Sequence, residues 1–178
     1  NFDCSAYYVR DPDLLMRSFA VLPEYLKTAA DSEVVNFRDW GIPLGRRFRA
    51  LKLWFVLRSY GAVGLRALVR EHLRLAALFA GWVDAAPGWQ RMAPAPLGLV
   101  CFRHVPPGMP DGPELDAHNR RILESVNASG EVFLTHTTLR GRFTIRLAVG
   151  QRTTEERHVR RAWDLARAAA DGSGEIEA

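Results

Sequence analysis

Cysteine is almost missing from this chain: Cys4 and Cys101 are the only two among 178 residues, and no CxxC pair occurs. A disulfide framework is excluded, and a reducing, intracellular setting is expected. Lysine is equally scarce. Of the 24 basic residues only Lys27 and Lys52 are lysines. The tightest basic cluster is Arg46, Arg47 and Arg49, with Lys52 just beyond. It is too narrow for a nucleic-acid stripe, and no zinc-finger spacing, RNP strand or GxxG clamp accompanies it. No apolar run approaches the roughly 20 residues needed to cross a bilayer. GxGxxG, P-loop and GxSxG motifs are also absent, which removes the usual sequence signs of dinucleotide, phosphate and serine-hydrolase chemistry.

What is present is an ordinary globular balance, 48% hydrophobic and 25% charged, with a formal net charge of +4. Wholesale disorder is excluded. The first residue is Asn1, and the apolar stretch behind it lacks a basic n-region. It does not read as a signal peptide, and the chain is expected to be part of a longer one.

Residues 4–9 carry Tyr7, Tyr8 and Val9 and predict a short strand. Pro12 ends it, and Asp11 or Asp13 is placed to cap a turn of helix through Leu14 and Met16. Residues 21–36 show no sustained period and read as a connector or binding loop. Gly41 to Gly45 punctuates a turn. Helical spacing then begins near Arg47, is interrupted at Gly61 and Gly64, and resumes through Leu65, Leu68, His72, Phe79 and Val83.

The remainder predicts a small α+β unit. Strands are expected at 97–103, 131–135 and 142–149, with helices at 115–126 and from Thr153 onward. In the strand from Arg142, Phe143, Ile145, Leu147 and Val149 share one face. Leu139-Arg140-Gly141 is short enough for a hairpin, so the sheet is expected to be antiparallel. Thr153 with Glu156 suggests a capping box, and Val159, Ala162, Trp163, Ala166 and Ala170 the packed face of the last helix.

Individual residues carry little visible chemistry. The histidines His72, His104, His118, His136 and His158 show no ligand spacing, so no metal site is expected. His72 beside an apolar helix face reads as structural. His136 reads more simply as a surface residue than as a site residue. Cys4 and Cys101 read as small buried hydrophobes. Arg146 lies on the less apolar strand face and would need an anionic partner if buried.

Three segments say more: Asn1-Phe2-Asp3-Cys4-Ser5-Ala6, the run Ile42 to Val56 with Pro43-Leu44-Gly45-Arg46-Arg47, and Leu97 to Arg103. With Phe143 to Ala148 and Arg161-Ala162-Trp163 they closely resemble the C-terminal part of the group II pyridoxal-phosphate decarboxylases, the aromatic-L-amino-acid decarboxylase family. The resemblance covers essentially the whole chain. It implies an α/β fold of the PLP-dependent transferase-like type (fold type I). Residues 1–51 would be the tail of the large, cofactor-binding domain. Residues 52–178 would form the small C-terminal α+β domain with an antiparallel sheet.

The family's Schiff-base lysine sits in an Asn-Pro-His-Lys-Trp context, which this sequence lacks and which would lie just upstream of Asn1. Neither Lys27 nor Lys52 aligns with it. The family's mobile catalytic loop corresponds to residues 21–36, and its Pro-x-Tyr-Leu motif to Pro23-Glu24-Tyr25-Leu26. The resemblance implies that Tyr25 helps deliver a proton to the substrate α-carbon after carbon dioxide leaves. It implies close backbone approach at Gly45, contact of Phe2 with the cofactor region, and interface roles for Arg46 and Arg47. The implied activity is decarboxylation of an L-amino acid of the aromatic class with pyridoxal 5'-phosphate, in a cytoplasmic homodimer with shared active sites. The chain alone is expected to be inactive and to fold poorly. The competing expectation is an inactive truncated or split-gene product with only an assembly role.

Overall fold

Arg140 and Gly141 both hold positive φ, 53° and 75°, and turn the chain between two strands. Paired positive φ in a two-residue loop matches the right-handed twist of the strands it joins. β3 (Thr135–Leu139) and β4 (Arg142–Ala148) form this hairpin, in register from Leu139 opposite Arg142 to Thr135 opposite Arg146. The computed structural model of the chain describes residues 5–20, 34–43, 45 and 47–172.

β4 also pairs with β2 (Leu99–His104), placing Val100 opposite Leu147 and Phe102 opposite Ile145. β1 (Trp89–Arg91) closes the far edge against β2, giving an antiparallel sheet of order β1-β2-β4-β3. The expected antiparallel sheet, its hairpin and the buried face Phe143, Ile145, Leu147 and Val149 are all present. β1 was not legible, because three residues carry no period.

The helices are α1 (Pro12–Phe19), α2 (Ala50–Ala85), α3 (Pro113–Ala128) and α4 (Glu156–Ala170). Asp11 caps α1 by accepting the Leu14 N–H at 2.9 Å, and Pro12 follows where its missing donor costs nothing. α2 breaks at Gly61, whose φ of 65° and ψ of 169° suit glycine and few other residues. The expected second break at Gly64 does not occur. The chain divides into two compact units, Asn1–Ala62 and Val63–Ala178.

The core lies in the second unit. Leu75, Phe79 and Val83 from α2 meet Val100 and Phe102 from β2, Ile122 and Val126 from α3, Ile145 from β4, and Val159 and Trp163 from α4. Burying each large side chain contributes roughly 1.5–3 kcal/mol. Cys101 is buried, as expected of a small hydrophobe, and burial pushes its thiol pKa up. Cys4 lies outside the described residues.

Gly98 precedes β2 where the backbone of Val149 comes closest. A Cβ there would sit 2.5 Å from the Val149 carbonyl oxygen. The approach is fixed by the Val149 N–H, which donates to the Gly98 carbonyl at 2.6 Å. Gly98→Ala is expected to destabilise the unit by roughly 1–3 kcal/mol, the usual cost of overpacking. Urea unfolding followed by tryptophan fluorescence would show it.

Three further sequence expectations are corrected. Residues 5–9 form no strand: Tyr7 and Tyr8 are exposed, and the first unit holds no described strand to supply a ladder. The strand expected at 131–135 starts only at Thr135. Asn127 holds both the N–H and the carbonyl of Leu134, at 2.8 and 3.0 Å, so that stretch is bonded to a side chain instead of a neighbouring strand. The capping box of α4 is Glu155 with His158, not Thr153 with Glu156. Thr154 donates to the Gln151 carbonyl in a turn that takes up Thr153, and Glu156 is engaged by Arg74 of α2 at 3.1 Å. The packed face of α4 is as expected, with Val159, Ala162, Trp163 and Ala166 buried.

Candidate functional site

Of the residues singled out from the sequence, Phe2, Tyr25 and Arg46 lie outside the described residues. Gly45 sits in a bend, exposed, with no atom within 4 Å of the place a Cβ would take. Arg47 is exposed. Around them the first unit presents apolar side chains to solvent: Phe37, Ile42, Phe48, Trp54 and Phe55 are all more than half exposed. Single exposed hydrophobes are common on any protein, but this many large ones in so short a stretch call for a covering surface.

The organised polar chemistry lies in the second unit, at the end of β2. Arg103 is only 4% exposed. Its charge is met by Asp111 at 2.8 Å and by the Gln90 side-chain oxygen at 3.1 Å. Asp111 also pairs with Arg142. The hydrogen bond from Arg103, helped by both positive charges, holds the Asp111 carboxyl below the usual carboxylate range. This arrangement anchors the loop after β2 to the sheet.

One residue further on, Asn119 of α3 clasps the backbone of His104. Its Oδ1 accepts from the His104 N–H and its Nδ2 donates to the His104 carbonyl, both at 2.8 Å. Asn119 is fully buried and also donates to the Leu115 carbonyl. The ring of His104 lies against Trp89, with centroids 4.8 Å apart, and its Nδ1 is 2.9 Å from Nε2 of His118. Sequence reasoning missed this group. The available signal was Asn119 itself, a polar residue inside the apolar stripe of Leu115, Ile122 and Val126. His104 and His118 stand 14 positions apart and show no pattern.

The other histidines follow their simpler readings. Nε2 of His72 faces the Gln151 carbonyl at 3.2 Å, a structural contact. His136 is exposed and stacks on Phe143. Arg146 is partly buried on β4, across from Cys101.

The chain matches the pyridoxal-dependent decarboxylase conserved domain over residues 1–105. It belongs to that family. Among its relatives, tyrosine decarboxylase 2 of Narcissus pseudonarcissus is 45% identical over 93% of this chain and 33% of its own length. Phenylacetaldehyde synthase of Arabidopsis thaliana is 44% identical over 93% of this chain and 34% of its own. The crystal structure of Oryza sativa TDC with PLP and tryptamine superposes with a TM-score of 0.83 at 35% identity, over 94% of this chain and 35% of that one. The chain thus spans about a third of the length of the curated relatives it matches. Its fold is that of the corresponding part of the fold type I pyridoxal-phosphate decarboxylases.

The family's cofactor is pyridoxal 5'-phosphate. Its chemistry asks for a lysine amine, donors for the phosphate and an acid facing the ring nitrogen. The described residues do not fit that set. Lys52, the lysine among them, is exposed on α2, and no carboxylate among them is buried. Among the described residues no three His, Cys, Asp or Glu gather as a metal site, and no helix is long and apolar enough to cross a membrane.

Proposed function

We propose that this chain is the C-terminal part of a pyridoxal-phosphate-dependent decarboxylase that removes the α-carboxylate of an aromatic L-amino acid, releasing the amine and carbon dioxide. The observation that carries the proposal is the 45% identity to a tyrosine decarboxylase across 93% of the chain. The match in fold to a plant enzyme crystallised with tryptamine supports it. In this reading residues 1–51 complete the cofactor-binding domain and residues 52–178 form the small domain. The loop 21–36 closes over the site and brings Tyr25 to the substrate α-carbon. Phe2 and Gly45 lie near the cofactor. The remaining parts of the site come from residues outside this chain.

The exposed Ile42, Phe48, Trp54 and Phe55 form a surface that is stable only when covered, in this reading by the rest of the enzyme and by a second subunit in a homodimer with shared sites. The free thiol of Cys101 suits a cytoplasmic setting.

The test is borohydride reduction of the protein as its source makes it, followed by peptide mapping. The reduced protein should carry a pyridoxyl group on a lysine in a segment preceding Asn1, and should form amine from tyrosine, tryptophan, dopa or phenylalanine before reduction. A natural product of 20.0 kDa carrying no modified lysine would instead identify an inactive remnant.

A further inference from the structure

We infer that His104 and His118 form an acid-sensitive latch between the end of β2 and α3, closed while one hydrogen lies between the rings and opened by a second proton. The inference rests on the geometry of the pair and is independent of the reaction proposed above.

Nδ1 of His104 and Nε2 of His118 stand 2.9 Å apart. That separation admits one hydrogen between two nitrogens. When both rings are neutral, one donates and the other accepts. A first added proton goes to the outer nitrogen of the donor ring and leaves the bond intact. The acceptor ring already carries hydrogen on its own outer nitrogen, so a second proton has only the bridging nitrogen to occupy. Two N–H groups then face each other, each on a charged ring, and the contact becomes repulsive.

The surroundings hold the rings in this confrontation. Asn119 fixes the backbone of His104 from both sides, and the Trp89 ring backs its imidazole. Both rings are partly withdrawn from water, so neither turns away at low cost. Two charged groups act on the pair from the packed elements. Asp171, at the end of α4, favours charge on His104, and Arg121, further along α3, opposes charge on His118. Burial is the largest influence on each ring. With His118 acting on His104 and Arg121 on His118, the net effect holds both below the ordinary histidine value.

The sign of the pH dependence follows. Below the ordinary histidine value of about 6.5 the unfolded chain binds more protons here than the folded one. The pair's contribution is therefore fully present above that pH and is lost as the pH falls through the depressed values of the folded state. Beyond His104 the chain enters the loop that carries Asp111, the partner of Arg103 and Arg142. Opening the latch loosens the point at which that loop leaves the sheet.

The test uses the full chain with ¹⁵N-labelled histidine. Long-range ¹H–¹⁵N spectra between pH 8 and 4.5 should show His104 and His118 titrating together, in two steps, both below about 6.5. The unfolding temperature should fall between pH 7 and 5 by about 5 °C more in the native protein than in His118→Gln, which keeps a hydrogen-bonding side chain but cannot take the second proton. Independent single steps at the ordinary histidine value would overturn the inference, as would an unchanged pH dependence in His118→Gln. If that variant fails to fold, the titration of the native protein decides the matter.

Discussion

Phe79→Ala should cost the Val63–Ala178 unit roughly 3–5 kcal/mol, the range for removing a large aromatic side chain from a core. Phe79 is wholly buried. Its ring meets Phe102 at 5.0 Å and Trp163 at 5.6 Å between centroids, both edge to face. It therefore joins the sheet to α4 from its own place on α2. Such geometry adds about 0.5–1.5 kcal/mol per pair beyond the area buried. The neighbours are themselves large and interlocked, which leaves little freedom to fill the void. Phe79→Leu keeps most of the volume and should lose much less. Urea denaturation read by tryptophan emission, with Trp82, Trp89 and Trp163 close by, gives the comparison. A loss under about 1 kcal/mol for the alanine variant would mean the site collapses freely and the core is not organised around this ring.

Tyr25→Phe, made in the complete enzyme, should retain cofactor binding while amine formation falls at least about 100-fold, the usual scale for a lost general acid. Loss of the carboxylate leaves electron density at the α-carbon, and that carbon must receive a proton before the amine can leave. Phenylalanine keeps the ring's packing and removes only the O–H. The relative named as a phenylacetaldehyde synthase gives the variant a second readout. With the proton withheld, the α-carbon is open to oxidation by dioxygen, which is reduced to hydrogen peroxide, and one water then hydrolyses the oxidised carbon–nitrogen bond to give aldehyde and ammonia alongside carbon dioxide. Amine and aldehyde are counted in one chromatographic run, with peroxide measured separately. Undiminished amine from the variant would remove Tyr25 from the proton path and leave it as a packing aromatic.

Legibility followed the strength of local signals. The alternation along β4 and the Arg140-Gly141 turn each admit one arrangement, and both are found. α4 was equally plain, because its apolar residues keep helical spacing. Residues 5–9 misled because aromatic and β-branched side chains suit a strand, yet a strand also needs a neighbour. The segment 131–134 misled for a related reason: a side chain of α3 took its hydrogen bonds. No local pattern could show Asn127 reaching forward or Arg74 reaching across to Glu156. The candidate site residues were harder still. Tyr25 has meaning only through the motif around it, and spacing alone would leave it an ordinary aromatic. Asn119 and the histidine pair acquire their roles only when α3 is laid beside the end of β2.

The break at Gly61 separates two kinds of constraint on the gene. Every core residue falls between Leu75 and Ala166. Those codons answer to the folding of their own unit, and a damaging change among them should appear as low protein yield. The large side chains from Phe37 to Phe55 contribute nothing to that core. Their codons answer to the parts of the complete protein that cover them, so the Val63–Ala178 unit should tolerate variation there that the whole enzyme does not.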